Sequence, residues 1–292
     1  MEMKDIPMPA ISESSLHPFD REPLIKIRAK QSPIGSQLRD AWAHRELLYF
    51  LIWRDLKVRY RQTVLGVAWV ILQPLLTTLV FTLFMSKLAR IPSDGVPYPL
   101  FAYAGLLPWM FFSNSVSTST YSLIANSYIV TKVYFPRMII PAAIVGVRLV
   151  DFLVASVVLV GLMLGYGVSL KTSVLIFPVL MVQMTMFTLG ISLWFSALNV
   201  KYRDVGTLLP VLIQLWMFTS PIIYPASLIP EKWRLLYSLN PVSGMVEAMR
   251  ASLFGLAFDW TSLAISAAVT LVLLTWFVYL FCRWEENLVD LL

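Results

Sequence analysis

The feature that most constrains this chain is the recurrence of long apolar stretches. Six of them, at residues 66–85, 99–122, 138–166, 173–199, 205–224 and 261–281, carry almost no charge. A helix needs about 20 mostly apolar residues to cross the hydrocarbon core of a bilayer. Only helices and closed barrels satisfy their backbone polar groups there. The short alternating segments of a barrel are missing, so the expected fold is an all-α polytopic membrane protein with six transmembrane helices. Hydrophobic residues make up 58% of the 292 and charged residues 14%, which excludes an ordinary soluble domain, a disordered chain and a fibrous repeat.

Flanking Lys and Arg residues set orientation. With the N-terminus inside, ten basic residues between Arg45 and Arg283 flank the inner ends of the spans, against six in the outer loops. The expectation is therefore that both termini are cytoplasmic. The net charge of +6 fits this bias better than a nucleic-acid site, because no compact basic domain is present. Residues 1–35, with five prolines and scattered charges, read as a disordered cytoplasmic lead. They contain no apolar stretch of signal-peptide length, so no cleaved signal is expected. Residues 63–283 form the six-span domain and 284–292 a cytoplasmic tail.

Three segments are not spans. In 36–62, Leu48, Ile52 and Leu56 recur at four-residue spacing, while Arg54, Lys57 and Arg61 fall on another face. This predicts an amphipathic interface helix in the headgroup layer, with Trp42, Tyr49 and Trp53 at a suitable depth. Two readings stand: a positive-inside flank with snorkelling side chains, or a docking helix that also holds an anionic headgroup. The short loop 125–136 is aromatic and basic, as a partner-facing surface helix would be. The segment 225–260 is too long for a turn and too apolar for a free loop. A short helix over 230–239, a break at Asn240-Pro241 and a second helix carrying Val242, Met245, Val246, Met249 and Leu253 predict two re-entrant outer helices.

Several chemistries leave no mark. No G-x-x-x-x-G-K-[ST] stretch occurs, and no lysine directly follows a glycine, so a phosphate-cradling loop of that kind is absent. An ion-driven carrier would keep ionisable groups in its core, and only Arg148 and Asp151 qualify. They lie three apart on one helix, where mutual pairing is the simplest account. His17 and His44 lie outside the spans, and Cys282 is the single cysteine, so neither a metal site nor a disulfide framework is expected. No clustered acid, base or nucleophile points to an enzyme. Aromatic residues and hydroxyls are plentiful instead. Most should serve packing and interhelical bonding. Rings with polar edges also suit the apolar C–H faces of sugars, on which a polymer can slide.

The run Leu56-Lys57-Val58-Arg59-Tyr60-Arg61-Gln62-Thr63-Val64-Leu65-Gly66, leading to Trp69 and Gln73-Pro74-Leu75, resembles the approach to the first span of polysaccharide-exporting ABC permeases. So does Lys132-Val133-Tyr134-Phe135-Pro136-Arg137 after the second span. Asn199-Val200-Lys201-Tyr202-Arg203-Asp204-Val205, the run Leu215-Trp216-Met217-Phe218-Thr219-Ser220-Pro221-Ile222-Ile223-Tyr224-Pro225 and the following Asn240-Pro241 are similar to the family's fourth-to-fifth-span region.

The resemblance implies a type-2 ABC exporter permease of the O-antigen, capsule or teichoic-acid kind. It implies a homodimer in the bacterial inner membrane, with two copies of a separate ATPase that binds ATP and Mg. It places ATPase coupling on the interface helix and the loop after the second span, here Trp42, Arg45, Tyr128, Lys132, Tyr134, Phe135 and Arg137. It places the translocation path on the first and fifth spans, here Trp69, Phe81, Phe84, Trp216, Phe218 and Tyr224. Lys57, Arg59 and Arg61 are the expected substrate entrance, attracting the pyrophosphate of a lipid-linked polysaccharide. Two other classes remain: a type-2 ABC exporter of another lipid or drug, and an ATP-independent lipid-linked sugar flippase.

Overall fold

A computed structural model describes residues 34–61, 66–169 and 171–291, and among these every regular element is helical. The lead at 1–33 and residues 62–65 lie outside the described residues. Four helical segments are long and apolar enough to cross a membrane: Ala68–Leu88, Ile139–Gly165, Thr172–Lys201 and Trp260–Glu285.

The chain opens with two helices, α1 (Ile34–Ala43) and α2 (Arg45–Arg61). The expected interface helix is therefore interrupted, at His44. Leu51 of α2 is buried, and Leu47, Leu48 and Ile52 pack beside it. Tyr49, Phe50 and Trp53 are exposed, so apolar side chains also occupy the outer face. α2 runs along α6 (Ile139–Gly165) and approaches it closely at Gly146, where an added Cβ would meet the Ile52 side chain.

α3 (Ala68–Phe81) continues into a π-helical stretch, Thr82–Leu88. α4 (Tyr98–Ala125) is the centre of the molecule and packs against α3, α6, α7 (Phe177–Lys201) and α10 (Pro241–Phe254). Its 28 residues cover about 42 Å at 1.5 Å per residue. Ser, Thr and Tyr lower its hydropathy, and the neighbouring helices wrap it. Many of its polar side chains close on backbone carbonyls. Thr118 donates to Asn114 O (2.7 Å), Thr120 to Val116 O (2.8 Å), and Tyr103 to Ala155 O on α6 (3.0 Å).

Contacts between helix ends fix the directions of the long helices. Asn199 near the end of α7 donates to Thr120 O near the end of α4 (3.0 Å), and its Oδ1 accepts from Gly206 N at the start of α8 (Asp204–Phe218) (2.9 Å). Arg137 N, just before α6, donates to Glu285 near the end of α11 (Trp260–Leu291) (2.6 Å). These ends gather with α2 and α5 (Ser127–Lys132). At the other end, Tyr98 of α4 donates to Ile223 O (2.8 Å), Trp216 of α8 to Asn240 (3.0 Å), and Ser173, before α7, to Ser252 O on α10 (2.8 Å). α3 starts beside Arg59 of α2, and the loop after it brings Asp94 to Ser227, so α3, α4, α6, α7, α8 and α11 alternate in direction between an α2 end and an α10 end.

Two short helices stand where the break at Asn240-Pro241 predicts them, α9 (Glu231–Ser238) and α10. Asn240 caps α10 by accepting from Val242 N, with Pro241 in the first turn. Gly255 ends the helix in the left-handed region, at φ 65°. α10 is almost wholly buried, Arg250 included. The Arg250 guanidinium donates to Pro221 O (2.6 Å), Ile222 O and Phe101 O (3.3 Å), and lies over the Phe101 ring. The space it occupies is the space a Cβ on Gly105 would fill.

Gly105→Ala is therefore expected to displace this guanidinium and destabilise the protein by about 2 kcal/mol or more, from overpacking plus lost bonds to a buried charge. Thermal unfolding in detergent reads the effect, and an unchanged Tm counts against the close packing.

Candidate functional site

The cation-rich run before α3 folds into a charge cluster that the spacing does not reveal. Asp151, on the α6 face toward α2, receives Arg59 Nη1 at 2.5 Å and the Tyr60 hydroxyl at 2.7 Å, both from α2. Arg148, one turn back on α6, approaches the same carboxylate at 3.4 Å and donates to Thr118 Oγ1 on α4 at 2.9 Å. The Arg148–Asp151 pairing expected from the sequence is present, but Asp151 is shared, and its shorter contact is to Arg59. Burial, and then the bond to Asp151, push the Tyr60 hydroxyl up, so it stays protonated and donates.

The three expected entrance residues are thus not equivalent. Lys57 and Arg61 are exposed on α2, while Arg59 turns inward to Asp151. Next to the cluster lies a cavity of about 160 Å³, lined by Arg59, Arg148 and Asp151 together with Trp69, Gln73 and Asn114. Arg148, which the sequence reading did not place with Lys57, Arg59 and Arg61, lines this cavity. Its presence inside an apolar run was the available signal.

The expected path residues scatter. Trp69 is exposed and lines this cavity, and Phe84 and Phe218 are exposed. Phe81 packs against the core. Trp216 is half-buried, edge-on to Phe112 and Phe187, and its Nε1 holds Asn240. That ring positions the start of α10. Tyr224 donates to Phe218 O (3.0 Å) and also contacts the Tyr237 hydroxyl. The faces that α3 and α8 leave open are strongly apolar, with Leu76, Leu79, Leu83, Leu208, Leu212 and Leu215 all exposed.

The expected coupling residues gather at the α2 end in part. Trp42, Arg45, Tyr128, Lys132 and Tyr134 are exposed, and Lys132 lies over the Tyr128 ring at 4.1 Å. Phe135 differs from them: it is buried with Leu51, Val130 and Met138, because the apolar ring is worth more in this cluster than at the surface. Arg137 is mostly covered and pairs with Glu285, 3.8 Å away.

Residues 46–254 match the ABC-2 type transporter family. The chain belongs to that family. Over 241 residues it is 33% identical to an O-antigen export system permease protein of Myxococcus xanthus, covering 81% of this chain and 92% of the relative. A second O-antigen export system permease protein, from Klebsiella pneumoniae, is 34% identical over 70% of this chain and 79% of its own length. A polysialic acid transport protein of Escherichia coli is 24% identical over 77% and 88%. In this ABC-2 chain the matched region runs from α2 through α10, so the charge cluster and both short helices, α9 and α10, lie within it.

Asp151→Ala would leave Arg59 and Arg148 facing each other without their carboxylate. We expect a loss of about 1–3 kcal/mol, less than for a fully buried pair because Arg59 is about a third exposed. Asp55→Ala, which breaks the more exposed Arg54–Asp55 pair, should cost about 1 kcal/mol or less. Paired thermal melts check the ranking.

Proposed function

We propose that this chain is the membrane permease of an ATP-driven exporter that carries a lipid-linked polysaccharide of the O-antigen kind outward across the inner membrane. The observation that carries the reading is the 33–34% identity to O-antigen export permeases over most of the chain. The more distant likeness to a polysialic acid transport protein is consistent with a polysaccharide cargo. ATP and Mg belong to a separate ATPase. This chain supplies the conduit and catalyses no covalent step.

The conduit forms from two copies, each with six spans, N- and C-termini in the cytoplasm, and α9 and α10 re-entrant from outside. The alternating directions of α3, α4, α6, α7, α8 and α11 support six crossings. α4 and α8 fall outside the four most apolar segments for different reasons. α4 is polar but enclosed, and α8 at 15 residues covers only about 22 Å, completed by the turn that follows it. The open apolar faces of α3 and α8 support pairing with a second copy across them.

On this reading the exposed aromatic and basic group around α1, α2 and α5, at Trp42, Arg45, Tyr128, Lys132 and Tyr134, docks the ATPase. Lys57 and Arg61 draw the anionic headgroup to the inner surface, where each basic side chain contributes about 1 kcal/mol. Arg59 and Arg148, held in place by Asp151, line the cavity beyond. Trp69, Phe84 and Phe218 are the proposed path residues with rings already exposed.

Deleting the gene should retain lipid-linked polymer inside the cell, and inactivating the co-purifying ATPase should do the same. Polymer at the wild-type level on the surface of the deletion strain would refute the reading. The double substitution Lys57→Ala and Arg61→Ala is expected to slow export several-fold with an unchanged Tm. Arg59→Ala should lower Tm as well, because it uncovers Asp151. Export assays and melts on the same preparations separate the two.

A further inference from the structure

Three segments meet at the α10 end around a cavity of about 350 Å³. That volume lies within the range of small-molecule sites, about 300–1,000 Å³. The loop before α4 contributes Asp94, the α9 region contributes Ile229, Arg234 and Tyr237, and α10 with the start of α11 closes the other side. Small residues leave the space open, with Gly244, Ala248 and Ala251 on the α10 wall.

The polar groups on this wall are not all used by the fold. Ser243 and Glu247 are one turn apart on α10, hence on one face. Ser243 is 3% exposed, and its Oγ has no hydrogen-bond partner among the described residues. A buried hydroxyl without a partner is uncommon and calls for an explanation. Among the described residues, neither the Glu247 carboxylate nor the Arg234 guanidinium makes a hydrogen bond or ion pair. Other groups around the cavity are occupied. Asp259 accepts from Thr261 N, Ser262 N and Ser262 Oγ, which hold its carboxyl below the usual range, and Asp94 accepts from Ser227.

This donor and acceptor set selects a ligand class. An anion would face Glu247, Asp94 and Asp259 with Arg234 as its one uncommitted cation among the lining residues. No group of three metal-ligating side chains comes together among the described residues. An acyl chain would leave the carboxylate and the guanidinium unpaired. A neutral polyol answers both, because each hydroxyl donates to a carboxylate and accepts from a guanidinium. Ile229 and Leu256 give its C–H face an apolar wall.

We propose that this cavity is a saccharide subsite for one pyranose-sized unit, with Glu247 accepting from ring hydroxyls, Arg234 donating to them, and the Ser243 hydroxyl, covered in this structure, rotating to complete the set. The proposal deepens the polysaccharide-export reading and rests on it for placing the α10 end outside. The unit is either part of the exported polymer or a free sugar of the external medium.

The test uses the full chain with its ATPase in lipid nanodiscs and saturation-transfer NMR. The probes are D-mannose, D-galactose, L-rhamnose and N-acetyl-D-glucosamine. At least one sugar is expected to receive saturation, and the signal should fall at least five-fold in Glu247→Gln. Ser243→Ala should weaken the signal while leaving Tm unchanged or higher, which a purely structural serine would not do. No transfer to any of the four sugars, or transfer that Glu247→Gln and Ser243→Ala leave intact, overturns the proposal. Export assays of Glu247→Gln assign the source. Slowed export at normal chain levels identifies the polymer, whereas lost sugar contact with unchanged export identifies the free sugar. A deletion strain that exports normally refutes the export reading and leaves the binding result standing on its own.

Discussion

An arginine inside an apolar bundle is costly unless a counter-charge meets it. This chain brings two, Arg59 and Arg148, to one carboxylate, Asp151. The consequence is geometric. Arg59 and Tyr60 come from α2, Arg148 and Asp151 from α6, and Thr118 from α4. The Asp151 carboxylate therefore ties α2 to α6, and Arg148 carries the link on to α4. The fit of Ile52 against Gly146 adds an apolar contact to the same seam. Loss of the carboxylate would leave like charges together in a partly covered site, so the position of α2 and the electrostatics of the adjoining cavity share one cause.

The rest of the bundle follows from how its polar groups are satisfied. α4 carries many hydroxyls, yet it is the most enclosed of the long helices. Its hydroxyls mostly return to carbonyls of their own helix or of a neighbour, so burial leaves few of them, such as Ser115, without partners. α3 and α8, by contrast, expose leucines along open faces. Apolar content thus does not rank the helices by depth, because a face left open to lipid or to a second copy needs apolar side chains more than one closed off within the bundle does.

The sequence made several elements legible for physical reasons. Asn240-Pro241 marks a helix start because the side chain caps and the proline fits the first turn, and α10 begins there. The long uncharged run at 99–122 marks α4. Other features could not be read from spacing. Arg148 and Asp151 three apart indicate mutual pairing, but the stronger partner of Asp151 lies on α2, far away in the chain. Phe135 sits in an aromatic, basic run that looks like surface, and only the tertiary fold shows that it is buried in one cluster with Leu51 and Phe281. Trp216 reads as a path aromatic until its Nε1 is seen holding Asn240. In each case the missing information was a long-range contact, which local pattern does not contain.

The bonds at the α10 end divide it into two parts of unequal firmness. Arg250 staples α10 to the start of α4 and to the turn after α8 through three backbone carbonyls, in a space that only a glycine at 105 leaves open. Asn240 reinforces this by joining Trp216 and Ser220, at the end of α8 and in that turn, to the start of α10. α10 therefore moves with α4 or not at all. α9 has no comparable anchor among the described residues. Its side-chain links run through the Tyr224–Tyr237 hydroxyl pair and Ser238–Ser262, and Trp233 and Leu236 on it are exposed. Free energy differences for shifting two hydroxyl bonds are about 1 kcal/mol each, far below those for extracting a buried guanidinium. If the α10 end opens, the separation that costs least is α9 from α10, along the wall that carries Arg234 on one side and Glu247 on the other.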